Sequence, residues 1–291
     1  IYPNETLGLV GESGSGKTTL ARTIMRLYQP TEGNIFFEGK SLYSCSKKEK
    51  FNLCRNMQYI FQDPYSSLDP RMTIQEIIME PLTIHNILYR EERTARVQEL
   101  IKLVGLQPGI LYQFPHELSG GQRQRVGIAR ALALHPRFIV CDEPIASLDV
   151  SIQAQIINLL RTLQGEMGLT YLFISHDLAV VRYVSNRVAV MYRGHLVELA
   201  PSSELYETPL HPYTLALLTM VPIPCPEIEK KRSIPVSITG DIPNDTNTSQ
   251  GGCVYRHQCP RAMPICQKVS PEWKEVSPGH YVACHLSQKL F

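Results

Sequence analysis

The segment Thr6-Leu7-Gly8-Leu9-Val10-Gly11-Glu12-Ser13-Gly14-Ser15-Gly16-Lys17-Thr18 sets the architecture. Residues 6–10 are a short apolar run ending at glycine, which suits a buried strand. Residues 11–18 fit the pattern G-x-x-x-x-G-K-[ST]. Its glycines let the backbone curl so that N–H groups converge on phosphate oxygens. Leu20, Ile24 and Leu27 then repeat at helical spacing until Pro30. Such a helix adds its positive end, roughly half a charge, to the loop. Strand, glycine loop and helix together open a parallel α/β domain. In that chemistry Lys17 reaches the β- and γ-phosphates and Thr18, with Thr19 beside it, lies at a Mg²⁺ ligand position.

Further along, Phe138-Ile139-Val140-Cys141-Asp142-Glu143 reads as a second buried strand with two carboxylates at its end. Ligands of open α/β sheets gather at the carboxyl ends of strands. Asp142 is therefore expected to hold Mg²⁺ and Glu143 to polarise an attacking water. The plain alternative is that both cap the turn before Pro144. Between the two strands, about residues 71–135, the pattern is mostly helical. Val97, Leu100, Ile101 and Val104 form one apolar face closed by Gly105 and Pro108, and a second helix runs from about Gln122 to Leu134. Ile152, Ile156, Leu159, Leu160 and Leu163 predict a further amphipathic helix. Tyr171–Ile174 and Val188–Met191 read as strands, with Arg193-Gly194 as a hairpin turn before a strand through Leu199.

Composition excludes several classes. Hydrophobic residues make up 43% and charged residues 19%, which argues against disorder. A net charge of +2 gives no bulk electrostatic case for nucleic acid. Lys230-Lys231-Arg232 reads as a solvated loop, and Asn244 to Gly252 as a turn-rich surface segment. No apolar stretch approaches the roughly 20 residues of a membrane span. The start, Ile1-Tyr2-Pro3-Asn4-Glu5, lacks the features of a signal peptide. The expectation is a cytosolic chain whose membrane role runs through a partner.

Leu118-Ser119-Gly120-Gly121-Gln122 opens the helix that continues Arg123-Gln124-Arg125. A serine hydroxyl, two glycines and a helix N-terminus form a second anion-binding device. One chain cannot aim two such devices at one phosphate from opposite sides, whereas two chains can. Here the chain resembles the ATP-binding cassette (ABC) family over essentially its whole length, with the motifs in the family's order. Residues 118–122 match the signature motif, Gln62 in Tyr59-Ile60-Phe61-Gln62-Asp63 the Q-loop, Ser147-Leu148-Asp149 the D-loop, and His176 in Ile174-Ser175-His176-Asp177 the switch histidine. The resemblance implies a P-loop NTPase core with a helical subdomain. It also implies a head-to-tail dimer, of identical or different cassettes, with ATP and Mg²⁺ in the interface. Each ATP would meet residues Gly11–Thr19 of one subunit and Ser119, Gly121, Gln122 and Asp149 of the other. Gln62 would sense Mg²⁺ and the attacking water, and His176 would contact the γ-phosphate. Ile145-Ala146 departs from the family's more usual Thr-Ser, with little expected effect.

Three stretches narrow the branch. Phe61 through Met72, His211-Pro212-Tyr213-Thr214 with Leu217-Leu218, and the cysteine-bearing tail resemble the oligopeptide/dipeptide permease ATPase subunits, whose relatives also move nickel and some sugars, so the resemblance implies uptake of oligopeptides, dipeptides or a related small solute. The resemblance implies two transmembrane permease subunits, a substrate-binding protein acting through them, and a place on the cytoplasmic face of the membrane. Prolines become frequent after Pro201, so an ATPase domain is expected over 1–200 and a small extension over 201–291.

Of eight cysteines, Cys45, Cys54, Cys141 and Cys225 are scattered, and Cys253-x5-Cys259-x6-Cys266-x17-Cys284 sit together. In a reducing compartment such a set favours a metal over disulfides. The resemblance favours a [4Fe–4S] cluster. Zinc, disfavoured by the missing C-x2-C pairs, and unliganded thiols remain alternatives. The family also carries strands before the phosphate loop, one with an aromatic residue that stacks on adenine. Tyr2 lies too near Gly11 for that role, so an N-terminally incomplete chain with reduced adenine affinity is expected. Two further classes compete with an import ATPase. A soluble cassette of DNA repair or translation would need long insertions or tandem cassettes. A non-enzymatic regulator would be expected to lose Glu143 or His176, which are both present.

Overall fold

The computed structural model describes residues 1–220 and 251–287, and they form a mixed α/β architecture. The expected loops at Lys230-Lys231-Arg232 and over most of 244–252, together with Cys225, lie outside the described residues. The chain divides into two compact units. One contains Ile1–Thr6 and Thr18–Ser175, the other Leu7–Lys17 and His176–Phe291.

The first unit holds helix α1 (Lys17–Ile24, from Thr18 onward) and a minimal hairpin of β2 (Phe36–Phe37) and β3 (Lys40–Ser41). Next come α2 (Lys47–Asn56), β4 (Met57–Ile60), α3 (Ile74–Ile84), α4 (Arg90–Leu103) and α5 (Gly120–Leu132). It closes with β5 (Phe138–Asp142), α6 (Val150–Met167) and β6 (Thr170–Ile174). Strands β4, β5 and β6 run parallel, with Met57 opposite Phe138 and Phe138 opposite Thr170. Every residue of β5 is buried, as a strand covered on both faces requires, and its unbroken apolar run is the sequence form of that burial. Residues 74–132 carry α3, α4, α5 and two short 3₁₀ turns at Pro108–Tyr112 and Pro115–Glu117. Capping boxes start three of the unit's helices: Ser46 with Glu49, Thr73 with Glu76, and Ser119 with Gln122. At its far end α6 stops at Gly168, whose φ of 63° is the left-handed conformation that closes helices.

Helix α1 is shorter than the Leu20–Ile24–Leu27 repeat suggests. The Arg26 N–H donates to the Thr23 carbonyl at 3.0 Å and the Leu27 N–H to the Arg22 carbonyl at 2.8 Å. With Arg26 at φ 63°, this is a Schellman closure built on an arginine instead of a glycine. Leu27 therefore leaves the helix and stays 59% exposed.

The second unit contains β1 (Thr6–Val10, from Leu7 onward), α7 (Leu178–Val184), β7 (Arg187–Tyr192), β8 (His195–Pro201), α8 (Ser202–Glu207) and α9 (Pro212–Thr219). After the undescribed residues come a 3₁₀ turn at Pro264–Gln267, β9 (Lys274–Ser277) and β10 (His280–Val282). β1 pairs parallel with β7, β7 antiparallel with β8, β8 with β10, and β10 with β9. The β7–β8 hairpin turns at Arg193 and Gly194, where both residues take positive φ. Glu198 on β8 is fully buried. Its carboxylate accepts the backbone N–H of Leu210 at 2.7 Å and of His211 at 3.0 Å, and faces His280 Nε2 at 2.8 Å. One carboxylate thus gathers β8, the start of α9 and β10, which satisfies a charge that burial would otherwise make costly.

Candidate functional site

In the second unit, residues 11–17 form a tight curl. Gly11 has φ 152°, and a Cβ there would lie 2.1 Å from the Met191 carbonyl oxygen, so no side chain fits. Gly16 has φ 103°, a conformation closed to most L-residues. The Ser15 N–H donates to the Glu12 carbonyl at 3.2 Å, and the Gly194 N–H donates to the Ser15 carbonyl at 2.8 Å. Lys17 is buried, and its ammonium donates to the carbonyls of Gly11 and Glu12, each at 2.8 Å. Ser13 and Gly14 are exposed at the crest of the loop. These features are those of a phosphate cradle: backbone held by close contacts beneath, a lysine drawn into the curl, and a helix starting at Lys17.

In the first unit, the Thr18 hydroxyl donates to Asp142 Oδ1 at 3.2 Å, and the Tyr59 hydroxyl donates to Asp142 Oδ2 at 2.6 Å. Asp142 is only 2% exposed. Burial and the neighbouring carboxylate both push the Tyr59 phenol well above its ordinary range, so it stays a proton donor at neutral pH. One residue on, Glu143 turns to φ 46° while its N–H donates to the Ile174 carbonyl at 3.0 Å. Its carboxylate accepts from Gln62 Nε2 at 3.0 Å. Thr18, Asp142, Gln62 and Glu143, named from sequence, thus form two hydrogen-bonded pairs, one between α1 and the end of β5, the other between the residues just beyond β4 and β5. A hydroxyl beside a buried carboxylate is a hard-oxygen set that fits Mg²⁺. Tyr59 was not singled out by sequence reasoning. No local pattern marked it: the β4–β5 register puts Tyr59 opposite Val140, two steps from Asp142 on the neighbouring strand.

Ser119, Gly121 and Gln122 form a separate group at the head of α5. The Ser119 hydroxyl accepts the Gln122 N–H at 3.3 Å, and Gln122 Oε1 accepts the Ser119 N–H at 2.9 Å. Ser119 is exposed. A Cβ on Gly121 would come within 2.6 Å of the Ile152 side chain, so this glycine lets α5 and α6 approach. Asp149 is the exposed N-cap residue of α6, and Thr19 is exposed on α1. In the second unit His176 is exposed, and Asp177 after it caps α7 by accepting the N–H groups of Ala179 and Val180.

Cys253, Cys266 and Cys284 are buried and Cys259 is half-buried, all as free thiols. Burial raises the pKa of Cys253, Cys259 and Cys284, and neighbouring thiols of the same set add to the rise. The four are therefore near one another. Yet among the described residues no three His, Cys, Asp or Glu side chains are placed to hold a metal ion. In this conformation the thiols do not fit a cluster. Among the described residues no helix is long and apolar enough to cross a membrane.

Residues 1–146 match the ABC transporter family, and residues 197–266 match the oligopeptide/dipeptide transporter C-terminal region. The putative oligopeptide transport ATP-binding protein YkfD of Bacillus subtilis (strain 168) is 55% identical over 287 residues, covering 98% of this chain and 87% of that protein. The oligopeptide transport ATP-binding protein AppF of the same organism is 52% identical with the same coverage. Among solved structures, the dimeric post-hydrolysis state of the ATP-binding cassette MJ0796 bound to ADP and Pi aligns with a TM-score of 0.63 at 32% identity. That alignment covers 69% of this chain and 87% of the other. The structure of cbiO1 from Clostridium perfringens, part of the ABC transporter complex cbiONQ, aligns with a TM-score of 0.65 at 29% identity, covering 72% and 81%. Fold and residues define an ATP-hydrolysing cassette. The chain belongs to the ABC transporter family.

Proposed function

We propose that this chain energises the import of oligopeptides or dipeptides as the ATP-hydrolysing subunit of a transporter, bound peripherally at the cytoplasmic face of the membrane. The observation that carries the reading is the pairing of Thr18 with Asp142 and of Gln62 with Glu143. Relatives named as oligopeptide transport ATP-binding proteins support the choice of cargo class.

Each residue takes a role that its chemistry suits. The loop amides from Gly11 onward and the Lys17 ammonium bind the triphosphate of the substrate ATP. Thr18 and Asp142 would hold Mg²⁺, with Gln62 beside them, and the ion supplies neutralisation of phosphate charge. Tyr59 keeps one Asp142 oxygen occupied and so fixes the direction of the other. Glu143 accepts a proton from the attacking water, and Gln62, already bonded to that carboxylate, orients it. His176 contacts the γ-phosphate. Ser119, Gly121, Gln122 and Asp149 serve the ATP of a second cassette, identical or different, so that the ligand favours the closed pair and hydrolysis removes that preference. The exposed Ser119 at a helix tip and the dimeric state of the similar cassette MJ0796 support this arrangement.

Two permease subunits complete the proposed assembly, with a substrate-binding protein acting through them. The test is co-purification with two polytopic membrane proteins and stimulation of ATPase activity by a peptide-binding protein. Association with ribosomes or DNA instead would overturn the transport reading. A [4Fe–4S] cluster on Cys253, Cys259, Cys266 and Cys284 would require these thiols to close on one another, and the bland role of buried thiols packing a small tail stands beside it. Iron and sulfide assay of anaerobically purified protein decides between them, and an iron-free, colourless protein removes the cluster.

A further inference from the structure

The C-terminal extension reaches the phosphate loop through one hydroxyl. Glu12, the second residue of the loop, donates its backbone N–H to the Tyr213 hydroxyl at 2.9 Å, although 201 positions separate them. Tyr213 belongs to the His211-Pro212-Tyr213-Thr214 stretch at the start of α9 and is 1% exposed. Its ring packs against Tyr192 with centroids 4.6 Å apart and against Tyr255 at 5.4 Å. Tyr255 also meets Tyr192 edge-on at 5.1 Å and lies in the cysteine segment, where its carbonyl accepts the Cys259 N–H at 3.0 Å. The Tyr192 hydroxyl donates to Gln258 in the same segment at 2.7 Å. All these residues belong to the second unit.

The loop therefore rests on three supports: the Met191 carbonyl beneath Gly11, the Gly194 N–H on Ser15, and the Tyr213 hydroxyl on Glu12. The first two come from the β7–β8 hairpin and the third from the extension. A loop of seven residues with three glycines is entropically costly to hold in one curl. A hydroxyl fixed inside an aromatic cluster, accepting a loop amide, holds one side of that curl before any ligand arrives.

We propose that Tyr213 is a positioning residue for the phosphate loop, its hydroxyl aimed at the Glu12 amide by the packing of its ring against the rings of Tyr192 and Tyr255. The inference rests on the reading of residues 11–18 as the ATP cradle. It concerns the nucleotide affinity of the cradle, since Tyr213 touches the loop backbone and no group assigned to the chemical step.

The test uses the purified full-length chain and three variants, with affinity read by a fluorescent ATP analogue and ATPase kinetics read in parallel. Tyr213→Phe keeps the ring and removes only the hydroxyl. It raises both Kd and the KM for ATP about fivefold, the weight of one hydrogen bond, and leaves kcat within about twofold. Tyr192→Phe removes a hydroxyl of the same cluster that does not touch the loop, and leaves KM as it was. An unchanged KM in Tyr213→Phe overturns the proposal, as does an equal rise in both phenylalanine variants, which marks general loosening of the cluster. Lys17→Ala separates the two levels. If it binds ATP normally, the cradle assignment falls and the Tyr213 proposal with it. If it loses ATP while Tyr213→Phe keeps its KM, only the Tyr213 proposal falls.

Discussion

The Thr18 hydroxyl donates to Asp142 Oδ1 at 3.2 Å, joining the residue after the loop lysine to the last residue of a strand 124 positions away. The second oxygen of the same carboxylate is held by Tyr59 at 2.6 Å. A buried carboxylate flanked by two hydroxyls is fixed in direction on both sides, a requirement for any group that orients a metal ion.

Tyr59→Phe removes one of those donors and leaves a buried carboxylate oxygen without it. Hydrogen bonds to charged groups contribute about 1.5–3 kcal/mol, so the variant should unfold at lower denaturant by a stability difference in that range. Equilibrium urea denaturation with an unchanged m-value reads it. A variant as stable as the parent would show that the Asp142 oxygen finds another donor.

Glu143→Gln should bind ATP as the parent does and lose turnover by a factor of about 10² to 10⁴, the usual yield of a positioned general base. The amide keeps the shape and still offers an oxygen that accepts from Gln62 Nε2, but it cannot take a proton from water. Single-turnover hydrolysis beside nucleotide affinity separates the two effects. Near-normal turnover would remove Glu143 from the role of base.

Gly121→Ala places a methyl 2.6 Å from the Ile152 side chain, where α5 meets α6. Overpacking of this kind costs about 1–3 kcal/mol. Ile152→Ala in the same chain should restore much of the loss, because it removes the atoms that clash. Thermal melts of the single and double variants check the coupling. Simple additivity of the two changes would show that the glycine serves something other than close helix approach.

His211 is buried, and burial pushes its imidazole pKa down to about 4, against a smaller opposing pull from Glu198. Between roughly pH 6.5 and 4 the unfolded chain binds a proton at this position and the folded chain does not. Stability that is present above pH 6.5 is therefore lost on acidification through this window, about 3 kcal/mol by pH 4. His211 Nδ1 also caps α9 by accepting the Tyr213 N–H at 3.0 Å. His211→Asn keeps a capping oxygen and removes the titration. Its stability should fall less steeply than the parent's between pH 7 and 4.5, by about 2–3 kcal/mol over the range.

Much of this architecture could be read along the chain, for physical reasons. β1, β5, β6 and β7 are mainly apolar runs bounded by glycine or turn residues, the form that burial on both faces imposes, and β8 was marked by the Arg193-Gly194 turn ahead of it. Helices α4, α5 and α6 carry the apolar spacing of one-sided packing. β4 was passed over because Gln58 and Tyr59 interrupt its apolar pattern, and Tyr59 is polar there to reach Asp142. β9 offers no pattern, since three of its four residues are exposed. Among functional residues, the loop glycines, Thr18, Asp142, Glu143 and Gln62 were visible because their chemistry demands fixed types at fixed local spacing. The Tyr213–Glu12 bond was not, because nothing local to either residue marks the other.

The environment of Glu198 bears on how this protein can be trimmed. Its carboxylate takes partners from 12, 13 and 82 positions away. A deletion that ends ahead of His280 strips the most distant of them and leaves a buried carboxyl group beside β8 short of one of its partners. Such shortened forms should be hard to recover intact from expression, whichever nucleotide residues they retain. The last hairpin behaves as a clasp whose absence is felt far upstream, so dissecting the extension calls for point changes on its surface in preference to removal of its end.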